Sequence, residues 1–143
     1  MGLRSRTGVT INTMAHGLRP VLIVDDDAAV RRTMARFLGL DGFTVIEADN
    51  GQDALAYLRG GGTASVILVD LRMPVMDGWA FRREQQRDPA FAHIPVIVLS
   101  GADAHRFHEL EASATFHKPA RMSELLRCVR RLCENPGTPL TNA

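Results

Sequence analysis

The chain has 143 residues, of which 45% are hydrophobic and 23% charged, and its formal net charge is +1. This composition is typical of one globular domain, and the near-neutral charge favours neither nucleic acid nor an anionic membrane as a partner. No apolar run approaches the roughly 20 residues of a membrane-spanning helix, and residues 1–19 lack the apolar core of a secretory signal.

The two cysteines, Cys128 and Cys133, lie close together in a predicted helix. This spacing is poor for a mutual disulfide, and the expected state is two free thiols. Free thiols are typical of a reducing compartment, so the sequence predicts a cytoplasmic protein.

Short apolar runs alternate with segments of helical periodicity along most of the chain. The runs predicted as strands are residues 20–24, 43–48, 66–70, 94–99 and 115–117. The segments predicted as helices are residues 28–40, 51–59, 78–87, 104–112 and 122–133. Strand–helix alternation with short connections predicts a doubly wound α/β fold, in which a parallel sheet lies between two layers of helices. We expect one domain over residues 20–133, between a flexible leader at 1–19 and a polar tail at 134–143.

The first predicted helix carries clear local signals. Asp27 precedes it and is predicted to be its N-cap, because a carboxylate can accept hydrogen bonds from the free amides of the first turn. Apolar residues recur at helical spacing within this helix, and we expect all of them to face the core. They are Val30, Met34, Phe37 and Leu38.

Chemically distinctive residues stand at the carboxyl ends of four predicted strands. They are Asp25 and Asp26, Asp70, Ser100, and Lys118. In an open parallel sheet these ends share one side, where ligands bind, so we expect the side chains to converge in one crevice. Crowded carboxylates repel each other unless a cation is present, and a small set of oxygen ligands suits Mg²⁺. A carboxylate can also be a nucleophile and form an acyl phosphate, which needs little beyond alignment and neutralisation of the phosphoryl oxygens.

Lys118 is the only lysine among 17 basic residues. An ammonium is a compact point charge on a flexible stem, whereas arginine carries a rigid fork, so a lone lysine indicates a position that a guanidinium would not fit. The same pattern also arises by chance. For Asp70 alone, an ordinary role as a turn residue at a strand end stays equally open.

Four stretches together resemble the receiver domain of two-component response regulators, in its stand-alone, chemotaxis-regulator-like form. They are VLIVDDD at 21–27, VILVDLRMPVMDG at 66–78, VIVLSG at 96–101 and HKP at 117–119. Their order agrees with the family, as do the 45 residues from Asp25 to Asp70 and the 30 from Asp70 to Ser100. The resemblance spans nearly all of residues 20–133. It implies a flavodoxin-like three-layer sandwich whose five parallel strands have the order 2-1-3-4-5.

The resemblance implies a role in phosphoryl transfer for three residues of the crevice. Asp70 would accept a phosphoryl group from a histidine of a sensor kinase or a phosphotransfer protein. Ser100 would follow that group, and Lys118 would pair with it, ahead of a cis peptide bond to Pro119.

The resemblance also implies a magnesium site. Asp26 would bind Mg²⁺ directly and Asp25 mainly through water. Asp70 and the backbone carbonyl of Arg72 would be the other protein ligands, and the side chain of Arg72 has no assigned task.

The chain departs from the family between Ser100 and Lys118. These residues are 18 positions apart, about one helical turn fewer than is usual, so the fourth helix should be short or displaced. Thr115 stands where the family commonly has an aromatic switch residue, and Phe116 should point to the opposite face of its strand. Ala120 replaces a frequent Phe. We therefore expect intact phosphorylation chemistry with an unusual readout.

The implied function is a phosphorylation-gated binding switch in a phosphorelay, without enzymatic activity beyond its own phosphoryl acceptance and slow autodephosphorylation. Because no effector-like stretch follows the last helix, we expect it to act through an unidentified downstream protein, as a monomer or weak dimer, without direct contact with nucleic acid or membrane. One alternative is a receiver-like adaptor that binds partners without phosphorylation. Another is a Mg²⁺-dependent aspartyl phosphohydrolase with its nucleophile among residues 25–27, but Ala28 and Ala29 follow where a Thr would be expected.

Overall fold

The structure, a computed structural model, describes residues 3–4, 10–11, 19–101 and 110–135. Its strands are β1 Leu3–Arg4, β2 Thr10–Ile11, β3 Val21–Val24, β4 Val45–Ala48, β5 Val66–Asp70, β6 Val96–Ser100 and β7 Ala114–His117. Its helices are α1 Ala28–Leu40, α2 Gly51–Arg59, α3 Gly78–Arg87 and α4 Met122–Glu134. Among these residues, no helix combines the length and apolar character needed to cross a bilayer.

Five of the strands form one parallel sheet. Their order is β4-β3-β5-β6-β7, which is 2-1-3-4-5 when the strands of this sheet are counted along the chain. Every residue of β3, β5 and β6 is buried, as expected for parallel strands covered by helices on both faces. The predicted doubly wound fold and strand order are confirmed.

The two short strands β1 and β2 form a separate antiparallel pair. Leu3 lies opposite Ile11, and Arg4 lies opposite Thr10. A strand of two residues is too short to show a period in the sequence, so periodicity within residues 1–19 predicts neither strand.

Two layers of apolar side chains hold the helices against the sheet. The layer under α2 and α3 includes Leu55 and Phe81, and the layer under α1 and α4 includes Leu38 and Leu132. Consecutive residues of β5 alternate between these layers. Full burial of each such side chain contributes about 1.5–3 kcal/mol, so the sheet is a rigid support for residues at its carboxyl edge.

Helix α1 begins as predicted, but its buried face differs from the prediction. Asp27 accepts hydrogen bonds from the amides of the first turn, at 3.0 and 3.2 Å. Met34 is buried, whereas Val30 and Phe37 are 36% and 42% exposed, so their predicted core positions are wrong. Val30 and Phe37 lie on one flank of Met34 on the helix, and the sheet covers the other flank, where Arg31 is buried.

Part of the predicted pattern lies outside the described residues. This is the case for most of the predicted leader, since residues 1–2, 5–9 and 12–18 are not described. It is also the case for most of the predicted fourth helix, since residues 102–109 are not described, and for residues 136–143 of the predicted tail. Leu110 and Glu111 are the next described residues, and they lie shortly before β7.

A buried polar network connects α3 to this resumed segment. Arg82 is 8% exposed, and its guanidinium donates to the carbonyl oxygens of Leu110 and Glu111 at 2.8 and 2.9 Å. It also donates to the amide oxygen of Gln85 at 2.7 Å. Gln85 in turn donates to two carbonyl oxygens of the α3–β6 connection, at 3.1 Å each. The two side chains thereby satisfy carbonyls in the segments that precede β6 and β7, and such groups are costly to bury unpaired.

Replacing Arg82 should therefore destabilise the fold strongly. We expect Arg82→Leu to lower the free energy of unfolding by roughly 2–4 kcal/mol, because it leaves Gln85 and the carbonyl of Leu110 without their donors. Urea unfolding followed by circular dichroism measures this change. Arg83→Leu is the matched control, since Arg83 is exposed, and it should change stability by about 0.5 kcal/mol or less. Equal stabilities for the two variants would contradict this account of the network.

Candidate functional site

The predicted site residues lie at one edge of the main sheet. Asp25 directly follows β3, Asp70 ends β5, Ser100 ends β6 and Lys118 directly follows β7. Because these strands are parallel and adjacent, their carboxyl ends open on the same side. The register pairs Asp70 with Leu99, so Asp70 and Ser100 are one residue apart across neighbouring strands.

Lys118 connects the carboxylates of two strands. Its ammonium lies 3.1 Å from Oδ2 of Asp25 and 3.1 Å from Oδ2 of Asp70. Its backbone amide donates to the carbonyl oxygen of Ser100 at 2.9 Å. The peptide bond from Lys118 to Pro119 is cis, as the family resemblance implies. One lysine therefore touches three strand ends, two through its side chain and one through its backbone.

Asp25 is held more firmly than its neighbour Asp26. The Asp25 residue is fully buried, and its Oδ1 accepts from the amide of Asp27 at 2.9 Å while Oδ2 faces Lys118. Asp26 is exposed. The turn thus presents one fixed carboxylate and one that is open to solvent.

Three carboxylates form the only candidate metal cluster among the described residues. One oxygen from each of Asp25, Asp26 and Asp70 lies within 4.8 Å of the other two. Hard oxygen ligands in this number suit Mg²⁺, which usually binds through few carboxylates and several waters. The residues present therefore fit the predicted ion.

Arg72 stands beside this cluster. Its backbone amide donates to Oδ1 of Asp70 at 3.3 Å, and the residue is exposed. Arg72 thus contacts one oxygen of Asp70, and Lys118 contacts the other. Coordination of a metal by the Arg72 carbonyl stays a prediction.

The electrostatics of the site are dominated by desolvation and by Lys118. Burial raises the pKa of Asp70 above its ordinary value, and the nearby ammonium of Lys118 only partly opposes this shift. Burial alone would lower the pKa of Lys118, but its hydrogen bond to Asp25 and the charge of Asp70 outweigh burial, and its pKa is raised. The charged form of Lys118 is therefore favoured in the folded protein, whereas ionisation of Asp70 costs the folded protein free energy.

The loop after Asp70 packs closely on the strand. A Cβ atom at Gly78 would lie 2.6 Å from the carbonyl oxygen of Asp70 and 2.8 Å from the Cα atom of Leu71. Only glycine allows this approach of α3 to β5. Asp77 caps α3 through the amide of Ala80 at 2.8 Å. The sequence pattern Asp-Gly signals a turn, but it does not reveal that Gly78 packs against the candidate site.

The same loop contains a strained turn. The amide of Met76 donates to the carbonyl oxygen of Pro74 at 2.8 Å, and Val75 between them has φ 71°. A positive φ is unfavourable for a β-branched residue, and Val75 is also 76% exposed. Strain of this kind, which is common near functional sites, lies here within five residues of Asp70.

The sequence pattern does not predict that Arg31 lies at this site. It is buried on α1, and its Nη1 donates to the backbone carbonyl of Asp25 at 2.8 Å. The available signal is a basic residue on the apolar face of an amphipathic helix, which indicates a specific buried partner.

On β7, the register places Thr115 and Phe116 on opposite faces. Thr115 pairs with Val98, which belongs to the layer under α2 and α3. Phe116 pairs with Leu99 and packs against the layer under α1 and α4. The predicted opposite orientation of these two residues is confirmed.

Comparison with curated proteins identifies relatives along most of the chain. Residues 21–130 match the family model of the response regulator receiver domain. The probable transcriptional regulator ycf27 of Porphyra purpurea is 32% identical over 130 residues, which cover 83% of this chain and 52% of that protein. The response regulator MprA of Mycobacterium sp. (strain KMS) is 33% identical over 129 residues, which cover 83% and 55%. The chain spans about half the length of these relatives.

Solved structures with the same fold include two receiver domains. The signal receiver domain of a signal transduction histidine kinase from Syntrophus aciditrophicus has a TM-score of 0.76 and 28% identity, covering 86% of this chain and 97% of that one. A response regulator receiver protein from Pseudomonas putida has a TM-score of 0.73 and 28% identity, covering 80% and 98%. With this fold, and with residues 21–130 matched by the family model, the chain belongs to the response regulator receiver domain family.

Proposed function

We propose that the chain is a phosphorylation-gated switch in which Asp70 accepts a phosphoryl group from a phosphohistidine. The donor would be a sensor histidine kinase or a histidine phosphotransfer protein. The observation that carries this proposal is the ammonium of Lys118, 3.1 Å from the carboxylates of both Asp25 and Asp70. A positive charge between two carboxylates, next to a cluster of three, suits the transfer of a highly charged group.

In this proposal a Mg²⁺ ion accompanies the transfer. Asp26 would hold it directly, Asp25 mainly through water, and Asp70 and the carbonyl of Arg72 would complete the protein ligands. When bound, the ion would neutralise charge on the phosphoryl oxygens. The supporting observation is the proximity of the three carboxylates, within 4.8 Å of one another.

The chain's own residues account for the rest of the transfer. A carboxylate oxygen of Asp70 forms a bond to phosphorus while the N–P bond of the phosphohistidine breaks, and the imidazole nitrogen keeps the electron pair of that bond. The amide of Arg72 orients the carboxylate of Asp70 through Oδ1. Lys118, already in contact with Oδ2, then pairs with a phosphoryl oxygen that forms beside it.

The readout would begin at Ser100, whose hydroxyl would follow the phosphoryl group. Ser100 is buried, and its carbonyl accepts the amide of Lys118, so a shift of Ser100 moves the segment that follows β7. Because Thr115 stands in place of an aromatic residue, we propose that this backbone connection replaces an aromatic rotamer switch. A downstream protein would read the change.

The free thiols of Cys128 and Cys133 support a cytoplasmic location.

Neither alternative function is favoured by a specific observation. A phosphohydrolase would need its nucleophile among residues 25–27, but Asp25 is fully buried, the carboxylate of Asp27 caps α1, and Ala28 and Ala29 follow where a Thr would be expected. An adaptor that does not depend on phosphorylation would not require Lys118 to contact both Asp25 and Asp70.

The phosphoacceptor assignment is tested by intact-mass spectrometry with Mg²⁺ and a small acyl phosphate donor. We expect the wild type to gain one base-labile phosphoryl group and Asp70→Asn to gain none. Asp77→Asn is the matched control, because it removes a carboxylate from the same loop while asparagine can still cap α3. It should be phosphorylated like the wild type. An adduct on Asp70→Asn, or none on the wild type, would contradict the proposal.

The requirement for an ammonium at position 118 is tested by Lys118→Arg and Lys118→Met. A rigid guanidinium fork cannot take the place of a point charge between two carboxylates on different strands. We expect both variants to capture the phosphoryl group more slowly than the wild type, on the order of tenfold or more. A Lys118→Arg protein as fast as the wild type would refute this requirement.

The cost of ionised Asp70 predicts a pH-dependent gain in stability for Asp70→Asn. Because the pKa of Asp70 is raised on folding, the folded protein holds the proton more tightly than the unfolded chain does. The penalty is therefore complete above the raised pKa and disappears below the ordinary carboxyl value of about 4. Without Mg²⁺, the variant should unfold at higher urea concentration than the wild type near neutral pH, and the difference should shrink as the pH falls.

Added Mg²⁺ should also reduce the stability difference between Asp70→Asn and the wild type, because it should stabilise the wild type more. At about ten times its Kd the ion should stabilise the wild type by about 1.4 kcal/mol, and it should stabilise Asp70→Asn less. A variant that is less stable than the wild type at every pH would show that the ionised carboxylate of Asp70 carries no penalty.

A further inference from the structure

Arg31 is buried at the border of the carboxylate cluster, on the inner face of α1. It is 8% exposed, which is rare for an arginine unless its charge has partners. Those partners are present. Its Nε lies 3.0 Å from Oε1 of Glu47, and its Nη1 lies 3.2 Å from Oδ1 of Asp49. Glu47 lies in β4 and Asp49 directly follows it, so Arg31 ties α1 to the end of this strand.

The same guanidinium also reaches the backbone of a site residue. Nη1 donates to the carbonyl oxygen of Asp25 at 2.8 Å. On the other side of this residue, the amide of Asp25 donates to the carbonyl oxygen of Ala48 at 3.2 Å. The backbone of Asp25 is thus held on both sides by groups anchored to the end of β4.

The position of Asp26 depends on this anchoring. Asp26 is exposed on the turn between β3 and α1, and its carboxylate lies within 4.8 Å of those of Asp25 and Asp70. The peptide unit that joins Asp25 to Asp26 carries the carbonyl to which Arg31 donates. Rotation of this peptide unit would move the carboxylate of Asp26 relative to the other two, and the hydrogen bond from Arg31 opposes that rotation.

We propose that Arg31 is a positioning residue for divalent-cation binding, holding the Asp25–Asp26 peptide so that Asp26 completes the cluster. This inference rests on the magnesium site of the proposed function. Groups that orient metal ligands from outside typically change metal affinity by 10- to 100-fold when they are removed.

Two other readings of Arg31 lead to different results. If it acted on the cation through its charge alone, removing a positive charge near the cluster would tighten Mg²⁺ binding. If it served only to join α1 to β4, its loss would lower stability and leave the affinity of the folded protein unchanged. Positioning predicts weaker binding by a protein that is still folded.

The experiment is a calorimetric titration of the full chain with Mg²⁺ alone. The variants are Arg31→Met and Arg31→Lys, with Arg32→Met and Arg32→Lys as matched controls, because Arg32 is the next residue and is exposed. Circular dichroism verifies folding at the titration temperature. Asp26→Asn tests the metal site itself and should weaken binding strongly.

We expect Arg31→Met to weaken Mg²⁺ binding on the order of tenfold, and both Arg32 variants to bind as the wild type does. Arg31→Lys keeps the charge but cannot reach all three partners, so its affinity should also fall, by a smaller factor. If Arg31→Met does not fold, the Mg²⁺ affinity of Arg31→Lys relative to Arg32→Lys decides whether Arg31 positions the site.

Two results would overturn the inference, and they differ in what else they affect. If Asp26→Asn weakens binding while the Arg31 variants bind as tightly as the Arg32 controls, or more tightly, Arg31 does not position the site and the proposed function stands. If Asp26→Asn binds Mg²⁺ as the wild type does, the proposed metal site is wrong, and the role of Arg31 falls with it.

Discussion

The arrangement depends on one ammonium between two carboxylates from different strands. Lys118 contacts Asp25 and Asp70 at 3.1 Å each, in a place where burial raises the pKa of Asp70. Without a cation at this point, carboxylates at this spacing would repel each other. The site therefore requires the carboxyl ends of β3, β5 and β7 to stay in fixed relation, although Lys118 is 93 residues from Asp25 along the chain.

The buried strands and the polar contacts of their connecting loops hold the strand ends in this fixed relation. The fully buried strands β3, β5 and β6 pack between two apolar layers, so their carboxyl ends have little freedom. Gly78 lets α3 approach the backbone of Asp70, and Arg31 ties the end of β3 to the end of β4. Arg82 likewise ties α3 to the segment before β7, by donating to the carbonyl oxygens of Leu110 and Glu111. Polar side chains thus fasten loops to a sheet that apolar packing holds rigid.

Much of this could be predicted from the sequence because the signals are local. Apolar runs predict the parallel strands, Asp27 predicts the start of α1, and the strand ends predict which acids converge. The contacts of Arg31 and Arg82 could not be predicted, because a buried arginine depends on carbonyls and acids that are distant in sequence. The exposure of Val30 and Phe37 could not be predicted either. Helical periodicity locates an apolar stripe on α1, but the packing of the helix on the sheet decides which flank of that stripe is buried.

In the proposed function, these distant groups form one site for a cation and for a phosphoryl group on Asp70. A crystal structure of the chain with Mg²⁺ and beryllium fluoride, a phosphoryl mimic, tests it most directly. We expect beryllium bonded to an oxygen of Asp70, Mg²⁺ beside Asp26, and the ammonium of Lys118 in contact with a fluorine atom. Beryllium fluoride bound elsewhere, or Lys118 turned away from Asp70 when it is bound, would contradict the account.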